Sequence, residues 1–232
     1  MYLWEENYLS VMFVMRKLSV QDCMLIRFSK NFTALSDSVV QDCLIQSAHC
    51  SLQIVPLYNF AIPLLLEQSS KSFLRKFVRD EIPSNQATHH EDLCADLEKI
   101  GIGLDTSTAR RPTSETLRYM DRLFKLLAPP STKSFLFDIE IIVRLRMALE
   151  TLVADEYRAY TVTALETRFG LKKEDQIFYH PSVVLFQGPH SLAFARLMKR
   201  LLENESDLQS ACYAATFATE TRLRFFDQFV RS

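Results

Sequence analysis

Between Phe135 and Phe169 the chain runs without a glycine or a proline. Nothing in that stretch interrupts a helical ladder, so one long continuous helix is permitted. Apolar residues recur along it at three- and four-residue steps: Ile142, Leu145, Leu149, Leu152 or Val153, then Tyr160 and Ala164. This is the spacing of a helix face buried against other helices. Glu150 stands beside the stripe near its middle. A carboxylate there must reach solvent, or else be hydrogen-bonded or bound to a cation. A metal ligand inside a helical bundle and a boundary residue reaching water are both consistent with its position.

The rest of the chain agrees with an all-α architecture. Only four glycines occur in 232 residues, at positions 101, 103, 170 and 188, whereas sheets need frequent turn glycines. One domain of this length buries a sufficient core, and no linker divides it, so residues 1–232 read as a single bundle of about seven main helices. The first of these is an N-terminal helix within residues 1–30, with Leu9, Met12, Phe13, Met15 and Leu18 on its stripe. A formal net charge of −1 argues against a nucleic-acid or membrane-surface partner. The basic group Lys71, Arg75, Lys76 and Arg79 reads as a solvated helix face. The five cysteines, at 23, 43, 50, 94 and 212, form no C-x-x-C and are odd in number. They read as reduced, buried thiols of a cytoplasmic protein. The acidic pair precedes the first apolar run, unlike in a signal peptide, and no run reaches the ~18 residues of a membrane span.

Helix boundaries follow from caps and breakers. A helix is expected from Ser36 to Cys50, and another over 52–67 with Pro56 in its first turn and Pro63 kinking it. A third covers 69–81 and breaks at Pro83. Thr88 with Glu91 forms a capping box for the next helix, which Gly101 ends. Pro112 and Thr113 open a helix over 114–127, and Pro129-Pro130 breaks the chain before the long helix, which Gly170 closes. Further helices are expected over 173–187, 190–204 and 206–230.

The sequence holds no G-x-S-x-G elbow, phosphate-binding P-loop or H-E-x-x-H, and no Glu-x-x-His of a ferritin-type di-iron bundle. What remains is a set of carboxylates and imidazoles. His89 precedes Leu93 and Leu97 by four and eight residues and shares their face. Glu81 ends the preceding helix, close enough in the chain to meet it. With Glu150 on a third helix and His190 at the start of a fourth, two Glu and two His can converge. Such ligands suit iron or manganese better than thiophilic metals. Each also has a plain alternative as a solvated helix-end residue.

The segment DEIPSNQATHHEDLCADLEKIG, Asp80 to Gly101, resembles the iron-ligand segment of the haem-oxygenase-like non-haem iron oxidases, of the superfamily that includes TenA and PqqC proteins. There an acidic pair ends one helix, and a His opens the next, which runs about three turns to a Gly. Asp80-Glu81, His89 (or His90) and Gly101 take those places. ALETLVADEY at 148–157 is similar to the family's central helix, with Glu150 as its carboxylate. FYHPSVVLFQGPHSLAFARLM at 178–198 is similar to the family's H-x-x-x-D-x-x-H helix, with His190 as the last His. Here Gln187 stands in place of the Asp and Val183 in place of the first His, while His180 comes a turn too early.

The resemblance implies a haem-oxygenase-like bundle that is able to form a homodimer. It implies one iron held by Glu81, His89 (or His90), Glu150 and His190, and a second only if His180 contributes. The implied activity is O2-dependent oxidation of a small amine, amino acid or fatty-acid-like molecule. Tyr157, Tyr160 and Tyr179 lie near the ligands in sequence or register, as hydrogen-bond partners, self-oxidation sites or ordinary core. Two rival readings remain. One is a metal-free enzyme resembling TenA or PqqC, with Glu150 or Glu81 as acid or base. The other is a non-catalytic helical protein that binds a ligand or partner.

Overall fold

A computed structural model describes residues 35–64, 68–84, 86–103, 111–127, 161–181, 209, 217 and 220–229. All regular structure among them is helical. Helix α1 spans Asp37–Ser51, α2 Ile54–Ala61, α3 Gln68–Glu81, α4 His89–Lys99 and α5 Ser114–Leu127. Further helical stretches cover 161–169 (α6) and 220–229 (α7). The N-terminal helix, the central helix up to residue 160 and the expected helix over 190–204 lie outside the described residues.

α1 is the spine. It is capped by Ser36, whose hydroxyl accepts from the Val39 amide, and it buries Val40, Cys43, Leu44, Ile45 and Ala48. Burial on several sides places it among neighbours, and it packs on both α4 and α5. α2 packs on α3 and α5. α2 ends earlier than the 52–67 expectation, passing into a 3-10 turn over Ile62–Leu64. Pro63 has no N–H to give the carbonyl four residues back, so the α-helical ladder stops there. α3 buries Leu74 and Phe77 and turns Arg75, Lys76 and Arg79 to solvent, as expected of an amphipathic surface helix.

The four largest fully buried side chains, Leu44, Leu97, Leu165 and Phe226, come from α1, α4, α6 and α7 and mark the centre of the core. Each contributes about 1.5–3 kcal/mol by its removal from water. The capping box of α4 forms as expected: Thr88 Oγ1 accepts from the Glu91 amide at 3.1 Å, and Glu91 Oε2 accepts from the Thr88 amide at 2.6 Å. At the other end Gly101 sits at φ +81°. The Ile102 amide donates to Leu97 O at 2.9 Å and the Gly101 amide to Glu98 O at 2.9 Å, the paired bonds of a Schellman stop. Gly170, at φ +71°, ends α6.

Two buried polar side chains join elements distant in the chain. Gln46 of α1 accepts from the Thr113 amide at 2.9 Å and the Thr116 hydroxyl at 2.7 Å, fixing the start of α5. Asp96 of α4, fully buried, accepts from the amides of Ile177, Phe178 and Tyr179 at 2.9, 2.9 and 3.3 Å. This second bond set corrects the expected helix over 173–187. Lys173–Asp175 is a 3-10 turn, the chain then extends at Gln176, and helix resumes only at 179. The Asp96 carboxylate takes three amides that a continuing helix would have used itself. Among the described residues no helix is long and apolar enough to cross a membrane.

Candidate functional site

The end of α3 and the start of α4 bring Glu81 and His89 together. Their contact is a hydrogen bond of 2.9 Å between Oε2 and Nδ1, with side-chain exposures of 12% for Glu81 and 32% for His89. Pro83 stops α3 just past Glu81, and the Thr88–Glu91 box fixes where α4 begins, so the pairing is set by chain punctuation rather than by a long loop. The His89 ring also meets the edge of Phe178 at a centroid distance of 6.4 Å. Because Asp96 holds the backbone of 177–179, the same carboxylate positions that aromatic wall.

His90 does something different. Its Nδ1 lies 2.8 Å from Ser51 Oγ and its Nε2 3.4 Å from Cys94 Sγ. The Ser51 hydroxyl proton is already given to the Ala48 carbonyl at 2.7 Å, so Ser51 Oγ accepts from His90 Nδ1–H. In the neutral ring this leaves Nε2 to accept from Cys94. His90 thus fastens the first turn of α4 to the end of α1. Of the two histidines, His89 is the one paired with the carboxylate.

Glu81 lines a partly open cavity of about 150 Å³ bordered by α1, α2, α3, α4, α5, the 178–179 segment and α7. Its walls are mainly apolar, among them Leu57, Phe77, Leu93, Phe124 and Phe226. The polar groups facing it are few: besides Glu81 they include the thiol of Cys50, the hydroxyl of Ser51, the phenols of Tyr58 and Tyr179, and Arg222. An apolar chamber with a few convergent polar groups is the usual form of a small-molecule site. Sequence spacing gave no sign of Cys50 or Arg222 here. Both enter through the packing of α1 and α7, which local periodicity does not encode.

Glu81 and His89 converge, while Glu150, Tyr157, Tyr160 and His190 lie outside the described residues. His180, on the short helical stretch 179–181, is half-buried. Among the described residues no three His, Cys, Asp or Glu side chains gather in a metal-binding group, so the structure does not bring His180 or His90 to the Glu81–His89 pair. Beside the pair, burial pushes the Asp92 carboxyl above its ordinary range, with His89 opposing that shift. The two bonds with Thr88 hold Glu91 below its ordinary range.

No protein-family description matches the sequence, and the search of curated proteins finds no relative. Solved structures do match. A CADD-like protein of unknown function from Nostoc punctiforme superposes with a TM-score of 0.75 at 12% identity, over 97% of this chain and 98% of that one. A domain of unknown function with a haem-oxygenase-like fold from Shewanella denitrificans gives 0.70 at 11% identity, covering 96% and 89%. A TenA homologue from Pseudomonas syringae gives 0.68 at 11% identity, covering 99% and 93%. The chain therefore has the haem-oxygenase-like helical fold that TenA homologues share. At such identities the likeness defines the fold alone, and function has to be argued from the site.

Proposed function

We propose that the protein is a non-haem iron oxidoreductase that uses O2 to oxidise a small organic molecule held in the cavity beside Glu81. The observation that carries this reading is the Glu81–His89 pair at the wall of an apolar chamber. The Oε2–Nδ1 distance of 2.9 Å shows the two donors meeting at one point, and a carboxylate with an imidazole suits ferrous iron. These two donors would hold one side of an iron site. The resemblance supplies Glu150 and His190 as further ligands, with His180 needed for any second ion.

When bound, iron would supply the electrons and open positions for O2 chemistry. The protein's own residues carry the rest. For His89 Nδ1 to hold a cation, the proton it shares with Glu81 would have to move to Nε2 or leave the ring. His90, tied to Ser51 and Cys94, keeps the first turn of α4 seated so that His89 does not swing away. Phe77, Phe178 and Phe226 exclude water from the chamber. Tyr179 lines the same space, and Tyr157 and Tyr160 belong to the proposal through the resemblance. The substrate is an amine, amino acid or fatty-acid-like molecule by the same resemblance, and a homodimer is part of the proposal.

Oxygen uptake tests the reading. Protein loaded anaerobically with ferrous iron and then mixed with oxygenated buffer and a reductant is expected to consume O2 in proportion to bound iron. Glu81→Gln and Glu150→Gln should abolish that uptake. Uptake equal to that of free iron would overturn the reading and leave a metal-free enzyme in which Glu81, oriented by His89, acts as acid or base.

A further inference from the structure

A second concavity opens on the other side of the cavity wall. Between α5 and α7 lies a surface groove of about 510 Å³. Arg118 and Arg122 reach it from α5 and Arg224 from α7. Its floor is the ring pair of Tyr119 and Phe225, whose centroids are 5.1 Å apart. These two residues also line the chamber beside Glu81, so one pair of rings separates the two spaces.

The charges in the groove are unevenly matched. Arg118 is held by Glu115 at 3.1 Å on its own helix. Arg122 and Arg224 make no ion pair among the described residues. Glu115 and Asp227 are the carboxylates of the groove. Glu115 is already engaged, held below its ordinary range chiefly by the Ser114 hydroxyl, and three arginines stand against two carboxylates among the lining residues. Arg118 and Arg122 stand four residues apart on one helix, a spacing at which like charges disfavour the helix. Adding Arg224 across the groove concentrates cations that a purely structural surface gains nothing from. A planar guanidinium binds carboxylate or phosphate oxygens two at a time, and aromatic rings beside it accept an apolar body.

We infer that this groove is a binding site for a small organic anion. Arg122 and Arg224 hold its carboxylate or phosphate head, and its apolar part rests on Tyr119 and Phe225. Because the rings that floor the groove also wall the chamber, an anion seated here rests against the outside of the chamber wall. The inference stands apart from the iron reading, since it is tested on metal-free protein.

The experiment is a ligand-observed NMR titration of the full chain, without metal, using benzoate and phenyl phosphate, with inorganic phosphate as the head group alone. The aromatic anions are expected to show saturation transfer from the protein. Their affinity should fall at least tenfold in R122Q/R224Q and change less than twofold in Lys125→Gln, which alters the same helix outside the groove. Inorganic phosphate should bind at least tenfold more weakly than phenyl phosphate. The ratio of benzoate to phenyl phosphate affinity identifies the preferred head group. Circular dichroism and a melting curve show whether R122Q/R224Q folds. If it does not, R122K/R224K keeps the charge, loses the bidentate geometry and is expected to weaken binding severalfold. Absence of binding by both aromatic anions, or affinity unchanged in the folded variants, overturns the inference.

Discussion

Replacing Asp96 by alanine strikes the bond set that joins α4 to the aromatic wall of the chamber. The side chain is fully buried and accepts three backbone amides, from Ile177, Phe178 and Tyr179. Ile177 is 45% exposed, so its amide can recover a bond with water. Tyr179 is 2% exposed and Phe178 half-buried, so their amides are left largely unpaired. Stranding a buried donor costs about 1–3 kcal/mol, and bonds to a charged acceptor lie at the upper end. The two stranded amides together put the loss at about 3–5 kcal/mol, a large share of the ~5–15 kcal/mol that holds a domain together. Urea unfolding followed by circular dichroism measures it. With a slope of about 2–3 kcal/mol per molar, the midpoint should fall by roughly 1–2 M. Asp92→Ala is the control one turn earlier. Its carboxyl is disfavoured by burial, so its removal should cost little or stabilise the protein. A loss below about 1 kcal/mol in Asp96→Ala, with unchanged slope, would refute the claim that this carboxylate organises residues 177–179.

Four further outcomes follow from other hydrogen bonds and backbone angles of the fold. Thr88→Ala opens the capping box and should cost about 1 kcal/mol. Glu91, held below its ordinary range in the folded state, contributes stability at pH values above its unfolded pKa and loses it as pH falls through the folded value, so Glu91→Gln should flatten the acid limb of a stability–pH curve. Gly101→Ala meets nothing within 4 Å but must hold φ +81°, a backbone cost of about 1–2 kcal/mol, whereas Gly103→Ala, also in open space, should be silent in thermal melts. Gln46→Ala strands the Thr113 amide and the Thr116 hydroxyl and should lower stability by about 2–4 kcal/mol in urea unfolding.

Local punctuation is what the sequence makes legible. Ser36, Thr88 with Glu91, Gly101 and Gly170 act within one helix end, so their roles can be read a few residues at a time, and the structure places each where expected. The Glu81–His89 contact belongs to the same class, because only a short turn separates two well-marked helix ends. Residues 173–178 escaped this reading because their conformation is dictated by an acceptor far off in sequence. Asp96 looks like an ordinary polar residue on α4 until the fold brings three amides to it. Gln46, Cys50 and Arg222 were equally silent, since each gains its role only through which helix packs beside it. The short α2 lies between these cases: Pro63 announced an interruption, and the 3-10 turn is the form it took.

If Glu81 holds a metal ion at the chamber wall as proposed, His89 and not His90 is its histidine partner. Iron content after anaerobic ferrous loading and desalting, in wild type, His89→Ala and His90→Ala, tests this directly. Folding is verified for each by circular dichroism. The expected result is iron retained by wild type and by His90→Ala, whose lost bonds to Ser51 and Cys94 cost stability rather than a ligand, and iron lost from His89→Ala. Equal retention in the two folded variants, or none in wild type, would contradict the account.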